Sequence, residues 1–251
     1  MNLHENICST KEINSKRFTV NEHNEWMLNI QNIYKRMRFA SENGFYVTFC
    51  HVPLIVYPNV YSPDFFTDSF WFSKNLLSCI KRDSSILEIG TGTGIISIML
   101  AKNGAKRIIA TDKVHAAVEN ARANVLKHGL SHIIKVNEGD IYNPIATFEK
   151  FDYIFWAHPF NNSPVLVTDP LLCTGLDYNY NCLRDYIKNA KYYLKQKGKL
   201  LIGTGDSADL ETMKEIAYQN NYIMNLLKEE TLPLEYGKPL PINYRIYEFI
   251  N

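Results

Sequence analysis

The 251-residue sequence predicts an α/β fold: a doubly wound sheet of seven mostly parallel strands with an antiparallel C-terminal hairpin. Two observations support this prediction. From Ser84 onward, short apolar runs rich in β-branched residues alternate with longer amphipathic stretches, as in β-α-β units around a parallel sheet. Near the C-terminus, two strand-like runs are separated by a stretch that contains Pro233, Gly237, Pro239 and Pro241, and such a pair closes the edge of a sheet as a hairpin.

Five apolar runs have the length and composition of buried parallel strands. They span residues 86–89, 107–111, 132–136, 153–156 and 199–203. The amphipathic stretches around them predict helices over 93–103, 114–129, 178–195 and 207–220. The terminal hairpin is expected to pair residues 222–227 with residues 242–250. These strands together make a seven-stranded sheet.

The beginning of the chain lacks this alternation. A helix predicted over 22–40 is followed by a strand-and-turn region that prolines interrupt at positions 53, 58 and 63. We therefore divide the chain into an N-terminal cap, residues 1–60, and a main domain, residues 61–251. A chain of this length suits one large α/β domain with an extension better than two independent domains.

Charge and cysteine content restrict the function classes. The 27 Lys and Arg residues nearly balance the 26 Asp and Glu residues, so no global charge attracts nucleic acid or an anionic membrane. The five cysteines contain no CxxC pair, which suits reduced thiols better than disulfides, and histidines and cysteines lack the spacing of metal ligands. No stretch approaches a membrane span of roughly 18 apolar residues. We expect a cytoplasmic monomer or homodimer that holds no metal and binds no membrane.

A glycine-rich turn follows the first predicted strand of the main domain. Gly90, Gly92 and Gly94 form a G-x-G-x-G pattern, in which missing side chains let the backbone approach a ligand closely. A dinucleotide fingerprint would require glycine at position 95, which is Ile95, so a pyrophosphate site fits poorly. Glu88 stands at the end of the strand, where its carboxylate can accept hydrogen bonds from the ammonium group of an amino-acid moiety. Strand, acid and glycines together predict a nucleotide-type site for a ligand with such a moiety.

Two further acids follow successive strands. Asp112 ends the second strand, where doubly wound sheets place an acid that meets ribose hydroxyls. Asp140 and Ile141 follow the third strand, and there a carboxylate can accept a hydrogen bond from the exocyclic amine of adenine. Each acid alone is more often a solvated side chain or a helix N-cap. Their recurrence at successive strand ends favours the binding site.

From residue 61 to residue 205, the chain resembles the class I S-adenosylmethionine-dependent methyltransferases. It is most similar to the group with a small methyltransferase domain, which includes protein-glutamine, N6-adenine and N2-guanine methyltransferases. The resemblance implies that S-adenosyl-L-methionine is the cofactor and that residues 61–251 form the catalytic domain. Segment 58–63, with Thr67 and Asp68 after it, is similar to the family segment that enters the cofactor pocket.

The resemblance also implies a role for each cofactor-binding residue. Glu88 and the three glycines surround the methionine part, Asp112 binds the ribose, and Asp140 with Ile141 holds the adenine. The implied cofactor-binding residues are Thr67, Glu88, Gly90, Gly92, Gly94, Asp112, Asp140 and Ile141.

The acceptor motif departs from the family pattern. Amine- and amide-methylating relatives end the fourth strand with Asn/Asp-Pro-Pro-aromatic, whereas this chain has Ala157, His158, Pro159 and Phe160. Three interpretations stay open: Ala157 and His158 only line a pocket, His158 acts as a base or hydrogen-bond acceptor, or activity has been lost. We take His158, Pro159 and Phe160 as candidate catalytic residues. Asp177 fits an acceptor loop or a helix N-cap equally well.

The predicted activity is methyl transfer to nitrogen or oxygen of a small-molecule acceptor. The neutral charge and Ala157 favour this acceptor over nucleic acid. One alternative is an RNA or protein (glutamine-type) N-methyltransferase. Another is a non-catalytic subunit that binds the cofactor and needs a partner protein.

Overall fold

The computed structural model describes residues 20–40 and 42–251, so residues 1–19 and 41 of the predicted cap lie outside the described residues. Helix α1 (Val20–Ala40) precedes an antiparallel hairpin, β1 (Phe45–Phe49) and β2 (Val52–Val56). Helix α2 (Asp68–Cys79) then leads into the main domain. The boundary at residue 60 between cap and catalytic domain stays a prediction.

The main domain alternates strands and helices in chain order. Its elements are β3 (Ser85–Ile89), α3 (Ile95–Lys102), β4 (Arg107–Asp112), α4 (His115–Lys127), β5 (Ile134–Glu138), β6 (Phe151–Ala157), β7 (Asn161–Ser163), β8 (Leu176–Tyr178), α5 (Asn181–Asn189), β9 (Leu194–Gly205), α6 (Leu210–Gln219), β10 (Ile223–Pro233) and β11 (Pro241–Ile250). Two single 3₁₀ turns lie at Leu172–Thr174 and Ala190–Tyr192.

Seven strands form one sheet in the order β10-β11-β9-β6-β3-β4-β5. The pairs among β3, β4, β5, β6 and β9 are parallel, whereas β11 runs antiparallel to both β9 and β10. The predicted fold class is therefore confirmed. The chain builds outward from β3 through β4 to β5 and then returns to β6 on the other side of β3. Ligands bind at such a switch point, beyond the carboxyl ends of the strands.

Consecutive residues of each strand point to opposite faces of the sheet, and helices cover both faces. On one face, Ile108 and Phe155 join the core that packs against α2, α3 and α4. On the other face, Ile109 and Ile154 join the core that packs against α5 and α6. Strands buried on both sides read as continuous apolar runs, which explains why the sequence located them.

The structure corrects the predicted helix over residues 178–195. The helix ends at Asn189, and β9 already begins at Leu194 instead of the predicted position 199. Leu194 pairs with Phe151 at the start of β6, and the Phe151 amide donates a hydrogen bond to the Tyr193 carbonyl at 2.8 Å. The chain therefore pairs with β6 from Leu194 onward, where the sequence predicted that the helix would continue.

Helix α2 and the small parallel pair β7–β8 are elements that the sequence did not predict. Within α2, Trp71 and Phe72 are adjacent and both buried, so the apolar residues do not follow a one-faced helical period. No helix in the described part of the chain is long and apolar enough to cross a membrane. A cytoplasmic location stays a prediction.

Two buried asparagines of α4 hold the hairpin on the main domain. The Asn124 amide donates to the Ile55 and Thr93 carbonyls, both at 2.9 Å, and accepts from the Ile55 amide at 2.8 Å. Asn120 donates to the same Ile55 carbonyl at 2.7 Å and accepts from the Tyr57 amide at 2.9 Å. Strand β2 is thus paired with β1 on one edge and bonded to a helix on the other.

Asn124→Ala should reduce the free energy of unfolding by about 2–4 kcal/mol, because three hydrogen bonds are lost and buried backbone groups are left without partners. Urea titration followed by circular dichroism measures the change. Asn225→Ala is the matched control, since Asn225 is exposed on β10 and should change stability by less than about 0.5 kcal/mol. Equal effects for the two variants would contradict this account of the hairpin.

Candidate active site

A cavity of about 380 Å³ opens at the carboxyl ends of β3, β4, β5 and β6, within the usual size range of ligand sites. Most of the predicted site residues line it: Glu88, Gly90, Gly92, Asp112, Asp140, Ile141, His158, Pro159 and Phe160. Gly94 and Thr67 do not belong to the lining. The structure therefore brings the strand-end acids, the glycine turn and the acceptor motif around one space.

The three glycines adopt left-handed backbone conformations that other residues rarely accept. Their φ angles are +65° at Gly90, +55° at Gly92 and +83° at Gly94. A Cβ on Gly92 would meet no atom within 4 Å and would therefore project into the open cavity. A Cβ on Gly94 would lie 3.3 Å from the Cα of Ala121, so this glycine permits close packing of the turn against α4. Only part of the motif therefore faces the cavity.

The Glu88 carboxyl group fixes the glycine turn. It is almost fully buried, and its Oε2 accepts hydrogen bonds from the hydroxyl groups of Thr91, at 2.9 Å, and Ser97. Burial raises the pKa of Glu88 to about 7. This carboxyl group is therefore poised between its two protonation states at neutral pH, and a nearby cationic ligand would favour the ionised form.

Asp112 also binds the turn. Its carboxylate accepts hydrogen bonds from the Gly92 amide and the Val114 amide, both at 3.0 Å, and burial raises its pKa. Asp140 is exposed at the cavity edge, whereas Ile141 is buried with a φ of +45°, a strained value for a β-branched residue. These two acids reach the cavity from adjacent strands, as the sequence predicted for a nucleoside.

Thr67 lies apart from this group. Its hydroxyl group donates a hydrogen bond to the Pro233 carbonyl at 2.6 Å and contacts the Tyr244 hydroxyl at 3.2 Å. The Thr67 hydroxyl group therefore has its hydrogen-bond partners within the protein. The neighbouring Asp68 lines the cavity instead. The resemblance to the family segment pointed to this region of the chain, but the side chain that faces the cavity is Asp68 and not Thr67.

His158 is held by the sheet and by buried neighbours. Its amide donates to the Gly203 carbonyl at 3.3 Å, which extends the β6–β9 ladder by a bond that a proline at this position could not make. Its Nε2 is paired with the Thr204 hydroxyl at 2.9 Å. Burial lowers the pKa of His158 to about 3, so the ring is uncharged at neutral pH and is a weak base. The geometry favours a structural role over proton removal.

The rest of the acceptor turn packs over Gly205 of β9. A Cβ on Gly205 would lie 2.8 Å from the Phe160 ring, so the small residue makes room for that ring. Tyr180 donates its hydroxyl to the Phe160 carbonyl at 2.7 Å. Asp177 accepts hydrogen bonds from the amides of Cys182, at 3.1 Å, and Leu183, at 2.9 Å. It therefore caps α5, which agrees with the structural alternative for this residue.

Sequence reasoning missed that three distant parts of the chain form one wall of the cavity. Tyr34 of α1, Tyr61 with Asp68, and Tyr244 of β11 all line it. The available signal was the concentration of aromatic residues from Tyr57 to Phe72. Tyr34 and Tyr244 carried no local signal.

Most of the main domain matches a known family. The family model described as "Methyltransferase small domain" matches residues 52–225, more than half of the chain. The chain belongs to this methyltransferase family. Residues 52–60, which we had assigned to the cap, fall within the match.

Three curated relatives illustrate the range of similarity for this methyltransferase. A Methanocaldococcus jannaschii protein named "Putative protein N5-glutamine methyltransferase" is 30% identical over 67% of this chain and 85% of its own length. A "Bifunctional methyltransferase" of Rickettsia bellii is 27% identical over 89% of this chain, which spans 40% of that protein. A "Ribosomal protein L11 methyltransferase" of Syntrophomonas wolfei is 44% identical, over only 28% of this chain and 23% of its own length.

Solved structures confirm the fold of the methyltransferase. The ribosomal protein L11 methylase of Lactobacillus delbrueckii subsp. bulgaricus aligns with a TM-score of 0.52 and 16% identity, over 76% of this chain and 83% of that one. The tRNA m1G37 methyltransferase of M. jannaschii aligns with a TM-score of 0.56 and 16% identity, over 83% and 57%.

The predicted partner, a small-molecule acceptor in preference to a macromolecule, is wrong. Two of the three curated relatives are named for protein substrates, and the similar folds include a tRNA methyltransferase. The prediction had relied on the neutral overall charge and on Ala157. Overall charge describes the whole surface and says little about the mouth of one cavity, and Ala157 removes one hydrogen-bond acceptor without limiting the size of the substrate.

The buried state of His158 predicts a specific pH dependence of stability. Because its pKa is about 3 in the folded protein and near 6.5 when unfolded, unfolding takes up a proton below pH 6.5. His158 should therefore stabilise the fold above pH 6.5 and lose about 2 kcal/mol of that contribution between pH 7 and pH 5.

Urea unfolding at both pH values measures this loss. His158→Gln should show a shallower decline than the wild type, whereas His132→Gln, at an exposed position, should decline like the wild type. If His158→Gln matched the wild-type pH dependence, the imidazole would have to be accessible to protons in the folded protein.

Proposed function

We propose that this methyltransferase transfers a methyl group from S-adenosylmethionine to a nitrogen atom of a polypeptide. The observation that carries the proposal is the convergence on one cavity of a left-handed glycine turn, three strand-end carboxyl groups and the acceptor turn at 157–160. The polypeptide acceptor is the alternative that the sequence had left open, and the protein-methylating relatives support it.

The cavity fits the cofactor in three respects. The missing Cβ at Gly92 leaves open space beside the turn, which an extended ligand can occupy. Glu88 lies under that turn with a carboxyl group that a cationic amino-acid moiety would ionise. Asp112 and Asp140 stand farther along the same edge, where ribose hydroxyls and an adenine amine can donate hydrogen bonds.

In the proposed mechanism, the protein contributes binding, orientation and exclusion of water. The cofactor supplies an activated methyl group on a sulfonium, so little covalent chemistry is asked of the chain. The turn at 157–160 sets the direction of approach, with Phe160 held by Tyr180 and Gly205. Holding the nitrogen in line with the methyl carbon at roughly 3–3.5 Å lowers the activation barrier of methyl transfer.

The charges of the cavity favour a polypeptide over RNA. The charged residues of the lining are five acids and one lysine: Asp68, Glu88, Asp112, Asp140, Asp177 and Lys113. Such a wall repels the phosphates that flank any nucleotide entering from a strand, and it attracts cationic groups. The protein as a whole is nearly neutral, so this negative charge is a local property of the cavity.

Gly92→Ala should weaken binding of S-adenosylmethionine by at least about 10-fold, because the added methyl group enters the ligand space. Gly129→Ala is a closely matched control: Gly129 also has a positive φ of +67° and no atom within 4 Å of an added Cβ, but it lies outside the cavity. Both variants carry backbone strain of about 1–2 kcal/mol, and only Gly92→Ala should lose affinity.

Calorimetric titration measures both affinities. Equal affinity of the two variants would mean that the glycine turn does not face the cofactor. Asp112→Ala should weaken binding by about 1–3 kcal/mol, as expected when ligand hydroxyls lose a charged acceptor. Binding of a nicotinamide dinucleotide, with no heat from S-adenosylmethionine or its demethylated product, would overturn the cofactor assignment.

Methyl transfer from labelled cofactor into the separated protein and RNA of a cell extract tests the acceptor. Label in protein supports the proposal, and label in RNA alone contradicts the polypeptide acceptor. No transfer to either fraction, together with tight cofactor binding and a protein that co-purifies, would instead support a non-catalytic subunit.

A further inference from the structure

Part of the cavity lining consists of residues to which the proposed cofactor contacts assign no role. We define this aromatic pocket by the residues that line it: Tyr34, Tyr61, Phe66, Asp68, Phe160 and Tyr244. These residues come from α1, the segment before α2, the first turn of α2, the acceptor turn and β11. The pocket is therefore assembled by the fold from segments far apart in the sequence.

The rings of the aromatic pocket fall into two groups. Tyr61 and Phe66 are stacked with centroids 5.4 Å apart, and Tyr34 lies 5.6 Å from Phe66. Phe160 and Tyr244 meet edge to face at 6.3 Å. Because each group packs on itself, the ring positions are set within the protein before a ligand arrives. Such aromatic walls attract cations through the negative faces of the rings.

Asp68 supplies the single acid of this pocket. Its Oδ2 accepts a hydrogen bond from the Tyr61 hydroxyl at 2.9 Å, and its Oδ1 accepts from the Ser69 amide and hydroxyl. Within the described part of the chain, no ion pair involves Asp68. A half-buried carboxylate without a counter-ion is costly, and a ligand cation would offset that cost.

We propose that the aromatic pocket binds the methyl-accepting group as a primary amine of a polypeptide, a lysine side chain or an N-terminus, with Asp68 as its counter-ion. This inference rests on the proposed function and names the acceptor. Ala157 supports the same inference by disfavouring the alternative acceptor, because its methyl group offers no hydrogen bond to a planar amide such as that of glutamine. An ammonium ion needs no such planar partner and is recognised by charge and aromatic rings.

Asp68 can also take the proton that an ammonium ion must lose before it reacts. The carboxylate oxygen accepts one proton from the nitrogen, and burial, which raises the pKa of Asp68, makes it a better acceptor than a solvated aspartate. The freed lone pair of the amine forms the new N–C bond as the C–S bond breaks. The electron pair of that bond stays on sulfur, the positive charge passes to the methylated nitrogen, and Asp68 returns its proton to water.

Binding of n-butylammonium to the full-length wild-type chain tests the pocket without any variant. The matched neutral probe is butyramide, which has a similar length and no charge. Calorimetry should give at least about 10-fold tighter binding of n-butylammonium, as expected for a cation between aromatic rings and a carboxylate. Equal binding of both probes, or preference for butyramide, would overturn the inference.

Asp68→Asn, compared with Asp64→Asn at an exposed position outside the cavity, separates this inference from the cofactor site. Asp68→Asn should weaken n-butylammonium binding about 10-fold or more and lower kcat/KM for the protein acceptor about 100-fold, with cofactor affinity within about 3-fold of the wild type. Asp64→Asn should change none of the three. Loss of cofactor affinity with unchanged amine binding would assign Asp68 to the cofactor and overturn the proposal.

The chemical identity of the product gives the final distinction. Protein labelled with methyl from the cofactor is digested completely with proteases, and the labelled amino acid is identified. Methyl-lysine or an N-methylated N-terminal residue supports the amine pocket and tells the two sources apart. Methylglutamine or methylated nucleotide contradicts it while leaving the transferase activity intact. No labelled product at all would instead count against the proposed function.

Discussion

A hydrogen-bonded network centred on the buried Glu88 carboxyl group connects the candidate cofactor site to the rest of the protein. Through Thr91 and Ser97 it fixes the glycine turn between β3 and α3. Asn124 then carries the constraint onward, because its amide group bonds the Thr93 carbonyl of the turn and the Ile55 backbone of β2. The position of the N-terminal hairpin thus depends on the same turn that faces the ligand.

This network has an electrostatic cost. Burial raises the pKa of Glu88 to about 7, above the 4.5 of the free side chain, so folding favours the protonated form. The associated stability is fully present below pH 4.5 and is lost as the pH rises through 7, the opposite sign to His158. A cationic group beside Glu88 would recover part of this loss. Such a site is less stable empty than filled, which is common where function requires a buried charge.

The sequence predicted the sheet and the strand-end acids because both leave local signals. Strands such as Ile86–Ile89 are buried on two faces, and acids such as Asp112 follow them directly. The start of β9 at Leu194 could not be predicted from the local sequence, because it depends on pairing with Phe151, which is distant along the chain. The aromatic pocket was missed for the same reason, because Tyr34 and Tyr244 line the same cavity only in the folded protein. The burial of His158 likewise follows from tertiary packing, which a motif comparison cannot supply.

In the changed acceptor motif, His158 stands where the family pattern has its first proline. In the family pattern, proline follows the amide-binding Asn or Asp and ends the ladder, whereas His158 continues the ladder to Gly203 and buries its ring beside Thr204. The strand end therefore contributes packing and shape but no charged or amide ligand. In our proposal, the polar partner of the acceptor is Asp68, the carboxyl group of the aromatic pocket. The proposed shift of recognition from the strand end to α2 would replace a directional amide contact with a charge, and such a change favours a cationic acceptor over a planar one.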